Sequence, residues 1–437
     1  YTGSYNDGTI NKPFKTVKDA INFTNRFNAN FTIYIMEGTY YDVNMTVANN
    51  LTISAYEGAN VILDGNKNGY IFYTNNSNNT FTIIGLTLMN CTGCYYADES
   101  RGGAILSYTN LTIINSTFKY NSAYLGGSIF NYAQSNIINS TFNSNNATIK
   151  SSNAGGAIIS YGDLTIINSL FFNNSAYLVG AVGSLGYCNI SNSTFINNRA
   201  LNGFGGAIYS TAITNINSSI FINNSAKSYG GCVISYGVNV SGSVFLDNHA
   251  THGNVICYVD SPILILDYNW WGNNTPFVEG NNLIFYYYST SNTSSYTPTN
   301  WIIMTFNINP STISPNGYSL ATVSLNTLNN TSGITTNLPS NIVLPNRTVT
   351  FSTVSGSFNY NSISFSNTVN SIYTANNNSG TVVLSASIDN QTINQNIIIQ
   401  SIIPIIKVTS ITNTQLNSVE NGTVNINVID EDSIVNV

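Results

Sequence analysis

The chain has 437 residues, a formal net charge of −6, and charged side chains at only 7% of its positions. Its hydrophobic share of 43%, with 29 Tyr and 21 Phe, excludes a disordered chain, because disorder combines low hydrophobicity with high charge. The length predicts about two to four domains. The thinly spread charge offers no basic patch, so we expect neither nucleic acid nor an anionic membrane surface as a partner.

The first predicted element is a helix within residues 13–26, PFKTVKDAINFTNR. Phe14, Val17, Ala20 and Ile21 share one face of it, which is the spacing of an amphipathic helix. The strings FTIYIMEGTYY and LTISAYEGANVILDG follow and are rich in β-branched and aromatic residues, which favours strands. The chain therefore opens with a short helix and then changes to β-structure.

A repeat of about 24 residues follows, and it is marked by glycine pairs. Each repeat carries a Phe, with Ser two residues before it, Asn three residues after it, and Ala two residues later still. The glycine pairs are Gly102-Gly103, Gly126-Gly127, Gly155-Gly156, Gly205-Gly206 and Gly230-Gly231, with degenerate copies at Val179-Gly180 and His252-Gly253. The phenylalanines are Phe118, Phe142, Phe171, Phe195, Phe221 and Phe245, at intervals of 24, 29, 24, 26 and 24 residues.

Two further positions of the repeat are uniformly aliphatic and mostly β-branched, which indicates short strands. The first set is Ile105, Ile129, Ile158, Val182, Ile208, Val233 and Val255; the second is Ile113, Ile137, Ile166, Ile190, Ile216 and Val240. Three short strands per repeat predict one coil of a right-handed parallel β-helix, with rungs about 4.8 Å apart. A leucine-rich repeat is disfavoured, because it needs helical return segments and the return segments here are strand-like. A propeller is disfavoured, because each of its blades needs about forty residues.

Stacked coils place like residues above one another, so we expect Ile and Phe ladders inside and Asn and Ser at the corners. The corner asparagines are expected to form a ladder of side-chain amides. The glycines suit corners with positive φ. The predicted helix covers the open sheet edge of the first coil. At the other end LDYNWWGNNTPF (266–277) places Trp270 and Trp271 where they can close the core. The β-helix is thus predicted over residues 1–300.

Beyond residue 300 the glycine pairs stop. TFNINPSTISPNGYSLATVSLNTL, LPNRTVTFSTVSGSF and GTVVLSASIDNQTINQNIII alternate between apolar and polar residues and are separated by turn residues. This pattern is typical of a β-sandwich. We expect one sandwich over residues 301–400 and the start of a second over residues 401–437.

These residues resemble known surface proteins. The GGA[IV] and FxxN signatures resemble the repeats of chlamydial polymorphic membrane proteins, while NDGTINKPFKTVKDAI and NWWGNN resemble adhesin-like surface proteins of methanogenic archaea. Residues 301–400 resemble bacterial Ig-like domains of the invasin/intimin type. The resemblance implies a cell-surface adhesin, a β-helix displayed on an Ig-like stalk, extracellular at the cell surface or wall. Its implied partners are other cells, glycans or surface proteins.

Enzymes share the predicted fold, because pectate lyases and polygalacturonases are also parallel β-helices. Those reactions need clustered acids, and between Arg101 and Asp260 the chain has only Asp163, Asp247 and Asp260. We therefore predict no enzyme, no lyase or hydrolase activity and no cofactor. Two alternatives stay open: a polysaccharide-degrading enzyme on this scaffold, and a structural component of the cell envelope that self-assembles.

One local group of polar residues falls in the last coils: Asp247, His249, His252 and Asp260. It could be a metal site or an acid/base pair. The interpretation we favour is that half-exposed positions occupied by Asn and Ser elsewhere carry other polar residues here, so no metal site is predicted. Asp98 and Glu99 beside Arg101 are likewise interpreted as a solvated loop.

The cysteines and the hydropathy pattern add limits. Cys91, Cys94, Cys188, Cys232 and Cys257 have no framework spacing and no second CxxC, which favours structural thiols. No apolar run reaches eighteen residues, so this segment is not expected to insert directly into a membrane. There is no signal peptide at Tyr1, so we expect a processed or partial chain.

A column of tyrosines is the candidate binding face. It comprises Tyr108, Tyr132, Tyr161, Tyr236 and Tyr258 and is interrupted by Leu185 and Thr211. Stacked about 4.8 Å apart, these side chains would form an aromatic surface that suits sugar rings or an apolar protein patch; alternatively the column only stabilises the corner. Exposed Asn-x-Ser/Thr sequons predict a glycoprotein: Asn44, Asn110, Asn223, Asn330, Asn346 and Asn390.

Overall fold

The computed structural model describes residues 6–96, 99–150, 155–259, 264–276, 285–288, 298–400, 405–411, 424–430 and 433–436. The chain is all-β, with 53% of its residues in strands and 3% in helices. It divides into two compact units. The first contains Tyr1–Ile303 and Asn326–Pro345, and the second contains Met304–Leu325 and Asn346–Val437.

The N-terminal helix spans Val17–Thr24 and is shorter than the predicted 13–26. Thr16 begins it, because the Thr16 side chain accepts the backbone N–H of Asp19 at the N-cap. Val17 and Ile21 are buried in the core of the coils, which confirms the predicted apolar face. Phe14 precedes the helix and contacts the ring of Phe23 instead, at 5.3 Å. A 3₁₀ turn covers Tyr56–Gly58.

Parallel strands stacked in about nine coils confirm the β-solenoid. Each coil adds a strand to the sheet that carries the phenylalanines, here called the phenylalanine sheet. Its strands are Gly38–Tyr40, Val61–Asp64, Leu86–Met89, Thr117–Lys119, Thr141–Asn143, Leu170–Phe172, Thr194–Ile196, Ile220–Ile222 and Val244–Leu246.

A wide sheet holds the two aliphatic positions of each repeat. Its strands are Phe31–Ile35, Met45–Val47, Leu51–Ala55, Phe72–Thr74, Thr80–Ile84, Ile105–Ser107, Asn110–Ile114, Ile129–Asn131, Ser135–Ile138, Ile158–Ser160, Leu164–Ile167, Val182–Ser184, Cys188–Ser191, Ile208–Asn217, Val233–Ser241, Ile256–Val259, Leu264–Ile265 and Phe285–Tyr288.

A third, short sheet was not predicted as a separate element. It consists of the two-residue strands that end in the repeated Ala: Ser122–Ala123, Asn146–Ala147, Ser175–Ala176, Arg199–Ala200 and Ser225–Ala226. Four of the coils therefore have four separate strand segments where the sequence predicted three. An antiparallel hairpin, Cys94–Tyr96 with Glu99–Arg101, adds to the solenoid.

The interior is a stack of like side chains. Phe195 lies parallel to Phe171 at 4.8 Å between ring centroids and to Phe221 at 5.0 Å, with interplanar angles of 6° and 4°. Trp271 continues this ladder against Phe245 at 4.7 Å, which confirms the predicted position of a tryptophan at its end. All six phenylalanines and both aliphatic columns of the repeat are buried. Val255 is buried as well, but it belongs to another column, because Ile256 is the residue that pairs with Val233.

Removing Phe195 should cost roughly 3–5 kcal/mol, because Phe195→Ala leaves a cavity between two rings that cannot close. Phe195→Leu is the matched variant: Leu88 pairs with Phe118 in the same column, so we expect leucine there to cost only about 1 kcal/mol. Thermal and denaturant unfolding measure both. An alanine variant as stable as the parent would contradict the stacked core at this coil.

Buried asparagines form the predicted amide ladder on one corner. Each side-chain amide donates to the carbonyl oxygen of the next asparagine at 2.9–3.2 Å. The same oxygen accepts the backbone N–H of the preceding asparagine at 2.9–3.1 Å. The members are Asn121, Asn145, Asn174, Asn198, Asn224 and Asn248. The corner is thereby closed to water without leaving these polar atoms unpaired.

Serines form a second ladder at the corner that precedes each Phe. Each hydroxyl donates to the carbonyl two residues before it, for example from Ser169 to Ile167 at 2.8 Å, and accepts the N–H of the serine one coil earlier, for example from Ser140 at 3.1 Å. The residue before each serine has positive φ, as at Asn139 and Asn192. Asparagine tolerates that conformation better than most residues, which explains part of its abundance.

The last coil corrects the predicted register. Gly253 aligns with Gly230, because His252 pairs with Tyr229 and Ile256 pairs with Val233. The degenerate glycine pair assigned to His252-Gly253 is therefore one residue too early, and Val255 does not belong to the aliphatic column. A slip of one residue exchanges the two faces of a strand, and this affects a tyrosine discussed below.

Two facing sheets of five strands lie mainly in the second unit; their short strand Thr336–Asn337 belongs to the first unit. One contains Asn300–Asn309, Tyr318–Asn330, Thr336–Asn337, Ser357–Phe358 and Thr368–Thr374, and the other contains Thr312–Ile313, Arg347–Thr353, Ser362–Phe365, Gly380–Ile388 and Gln391–Ile399. Phe351 of the second sheet contacts Phe306 and Phe358 of the first at 6.2 and 5.2 Å. Ile405–Ile411, Val424–Asp430 and Ser433–Asn436 form a separate antiparallel sheet.

Candidate functional site

A small apolar cluster lies outside the main core, on the outer side of the wide sheet. The middle residues of three adjacent strands, Leu106, Phe130 and Ile159, point away from the interior and are nevertheless 0%, 1% and 3% exposed. Leu125 and Ile149 cover them from the segments that follow the short sheet. The longest interval of the repeat, between Ala147 and Gly155, falls here. Ile149, from this longer interval, thus helps to build a second core, which we call the outer cluster.

Three of the predicted tyrosines border the outer cluster and form a continuous strip. Tyr108 and Tyr132 stack at 4.4 Å with an interplanar angle of 17°, and Tyr161 follows Tyr132 at 5.1 Å and 36°. Phe130 supports the strip from the cluster, 4.8 Å from Tyr132 and 5.4 Å from Tyr161. Tyr108 and Tyr132 are half-buried, while Tyr161 is 44% exposed. We call Tyr108, Tyr132 and Tyr161 the tyrosine strip.

Arg101 lies at the edge of the strip. Its guanidinium donates to the Tyr132 hydroxyl, lies 5.4 Å from the centre of the Phe130 ring and forms an ion pair with Glu99 at 3.3 Å. Glu99, which was predicted to lie in a solvated loop, therefore forms an ion pair with Arg101. Asp98 lies outside the described residues. The hydrogen bond from Arg101 holds the ring of Tyr132 in place. Because Glu99 balances the charge of Arg101, the strip stays close to neutral.

The remaining tyrosines of the predicted column have different positions. Tyr236 follows Ser235 as Tyr161 follows Ser160, and it is 44% exposed. Tyr258 pairs with Ser235, so it belongs to the inward column of Ser and Asn residues and is only 8% exposed. The predicted membership of Tyr258 is wrong because of the one-residue slip in the last coil. Val259 is the residue that continues the outward column.

The last-coil polar group is spread over the surface. Asp247 has φ +52, like Asn223 one coil earlier, and His249 pairs with Ser225. His252 lies against the Tyr229 ring at 5.1 Å. Asp260 lies outside the described residues. Within the described part of the chain, no three His, Cys, Asp or Glu side chains form a group that could hold a metal ion. Asp247 and His249 thus occupy positions that are Asn and Ser in the neighbouring coil, as expected.

The five cysteines are free thiols. Burial raises the pKa of Cys188 and of Cys257 to about 12, and it also raises the pKa of Cys91 and Cys232. Cys94 is half-buried beside Tyr70, whose pKa is raised to about 12 chiefly by burial. A thiol that holds its proton is a poor nucleophile and a poor metal ligand, which agrees with structural thiols.

The predicted sequons divide into accessible and engaged asparagines. The exposed ones are Asn44, Asn110, Asn223, Asn346 and Asn390. Of these, Asn223 donates its amide to Asn197 at 2.7 Å. Asn330 is half-buried, and its side-chain oxygen accepts two backbone N–H groups. Glycosylation at any of them stays a prediction.

No protein-family profile matches the sequence, and no curated protein matches it at a significant level. Among the residues that the structure describes, no helix combines the length and the apolar character needed to cross a bilayer.

Proposed function

We propose that the chain is a surface adhesin that binds its partner through the tyrosine strip. The observation that carries this proposal is the stack of Tyr108, Tyr132 and Tyr161 on the outside of the coils. The residues directly before the three tyrosines, Ser107, Asn131 and Ser160, are buried and donate to nearby backbone carbonyls, so the scaffold gives the strip a fixed geometry. A fixed aromatic surface loses little entropy on binding.

The ligand class that suits this surface is a neutral glycan or an apolar protein patch on another cell. Phenol rings offer an apolar face and a hydroxyl at the rim, and the Arg101–Glu99 pair leaves no net charge to select an acidic ligand. We further propose, from the sequence resemblance, that the protein belongs with the archaeal adhesin-like proteins. The two facing sheets of the second unit are proposed to be an Ig-like module of their stalk.

The test is binding of the purified chain to an array of neutral and acidic oligosaccharides and to whole cells. Tyr161→Ser should weaken binding at least about tenfold, equivalent to about 1.4 kcal/mol, with little change in melting temperature because Tyr161 is already 44% exposed. The triple variant with Tyr108→Ser and Tyr132→Ser should abolish binding and also lower the melting temperature, because both rings are half-buried against the outer cluster.

Matched controls are Tyr120→Ser and Tyr187→Ser, since these tyrosines are 55% and 51% exposed and lie outside the strip. They should bind like the parent. Unchanged binding by the triple variant, together with a lower melting temperature, would leave the strip as a stabilising device only. Release of reducing ends or unsaturated sugars from the array would instead favour the enzyme alternative.

A further inference from the structure

The outer face of the phenylalanine sheet changes character along the coils. The residues that flank each Phe point outward, because side chains alternate across a strand. In two early coils they are Thr117 with Lys119 and Thr141 with Asn143. In the next three they are almost all large and apolar, and all are partly exposed. We call five of these residues the apolar strip: Leu170, Phe172, Ile196, Ile220 and Ile222.

At one end this apolar face is already covered by the chain itself. Val244 and Leu246, which continue the two columns, are 0% and 7% exposed. Residues 342–343, which belong to the same compact unit, lie against the adjoining corner. The Ser218 hydroxyl donates to the Val343 carbonyl at 3.1 Å, and Ile342 lies beside Gly242. The apolar strip is thus the uncovered continuation of an interface that the fold already uses.

We propose that a second copy of this chain covers the apolar strip, with the phenylalanine sheets of the two copies face to face. The strip is a piece of regular sheet with rungs about 4.8 Å apart, and such a face packs best against another sheet at about 10 Å. A two-fold axis makes one patch complementary to itself. None of the outward residues on the strip's three strands is charged, so no buried charge opposes the contact.

The charges at the two ends of the strip favour an antiparallel arrangement. Lys119 lies three rungs before Ile196 in the same column, and Asp247 follows Leu246, two rungs after Ile196. A two-fold axis along the strand direction at Ile196 reverses the order of the rungs. It therefore brings Lys119 of one copy to within about one rung, roughly 5 Å along the stack, of Asp247 in the other. A parallel arrangement would place like charges together.

The area of the strip limits the affinity. A standard interface buries about 800 Å² on each partner, and three rungs with a polar rim offer less. We therefore expect a weak dimer that is half-formed on the order of 100 µM and that gains strength where many copies share one surface.

The experiment is sedimentation velocity of the full chain from about 5 to about 500 µM, a range chosen around that midpoint. The parent should dimerise with rising concentration, and Phe172→Lys with Ile222→Lys should remain monomeric. Lysine is tolerated in this column, as Lys119 shows, so the variant should fold. The control is Thr165→Lys with Asn215→Lys, which adds the same charge to the same coils on the wide sheet; it should dimerise like the parent.

A charge exchange tests the arrangement. Lys119→Asp and Asp247→Lys should each weaken the dimer about three- to tenfold, and the combined variant should recover most of the loss. A combined variant weaker than either single one would contradict the antiparallel arrangement. A parent chain that stays monomeric over the whole range, or a strip variant that dimerises normally, would overturn the proposal. Normal glycan binding by the strip variant would separate this result from the function of the tyrosine strip.

Discussion

Gly180→Ala should lower the free energy of unfolding by at least about 4 kcal/mol, or prevent folding altogether. The second glycine of each pair lies directly over the backbone of the next coil. A Cβ at Gly180 would be 1.7 Å from the carbonyl oxygen of Gly206, and one at Gly206 would be 2.0 Å from that of Gly231. The atom in the way belongs to a backbone held on both sides, so whole coils would have to separate by more than 1 Å.

The control for this prediction is Gly58→Ala. Gly58 has φ +77 but no heavy atom within 4 Å of a new Cβ, so its cost should be only about 1–2 kcal/mol, from the backbone conformation alone. Melting and limited proteolysis of both variants measure the difference. Equal stability of the two variants would show that the coils can move apart, contrary to close stacking.

The periodic part of the fold follows from the sequence alone, because identical spacing forces identical residues into one column. The Phe ladder and the amide ladder were predicted from spacing, and the terminal tryptophan was predicted from the bulky pair that ends the repeat. The register predicted for the last coil was wrong because His252-Gly253 resembles a degenerate glycine pair, whereas Asn254 occupies the position of the second glycine. One residue of ambiguity was enough to place Tyr258 on the wrong side of its strand.

The candidate surfaces were only partly predictable. Stacking of Tyr108, Tyr132 and Tyr161 followed from the repeat, but the outer cluster depends on how residues outside the strands fold back, and no periodicity describes that. Arg101 reaches Tyr132 from a hairpin that the repeat does not contain. The apolar strip, in contrast, did have a signal: the residues that flank Phe change from STFKYN to SLFFNN and SIFINN along the chain.

Asn174→Ala should cost roughly 4–6 kcal/mol, although the side chain that it removes is polar. The Asn174 side-chain oxygen accepts both the backbone N–H and the side-chain amide of Asn145, at 3.0 Å each. Its own amide donates to the Phe142 carbonyl and to Asn198. Asn174 is 0% exposed, so water cannot replace these hydrogen bonds. Each buried donor or acceptor that loses its partner costs about 1–3 kcal/mol.

Two variants separate burial from the simple loss of an amide. Asn215 also donates to an asparagine one coil earlier, Asn189, at 2.9 Å, but on the outer face of the wide sheet. Asn215→Thr should therefore cost no more than about 0.5 kcal/mol, since water satisfies Asn189 and Thr165 already occupies that column. At acidic pH the carboxyl of Asn174→Asp is protonated, so it keeps the acceptor and offers one O–H donor in place of two N–H donors; its stability should therefore lie between the parent and Asn174→Ala. If Asn174→Ala and Asn215→Thr unfold at the same denaturant concentration, the corner is open to water and the ladder is not what seals it.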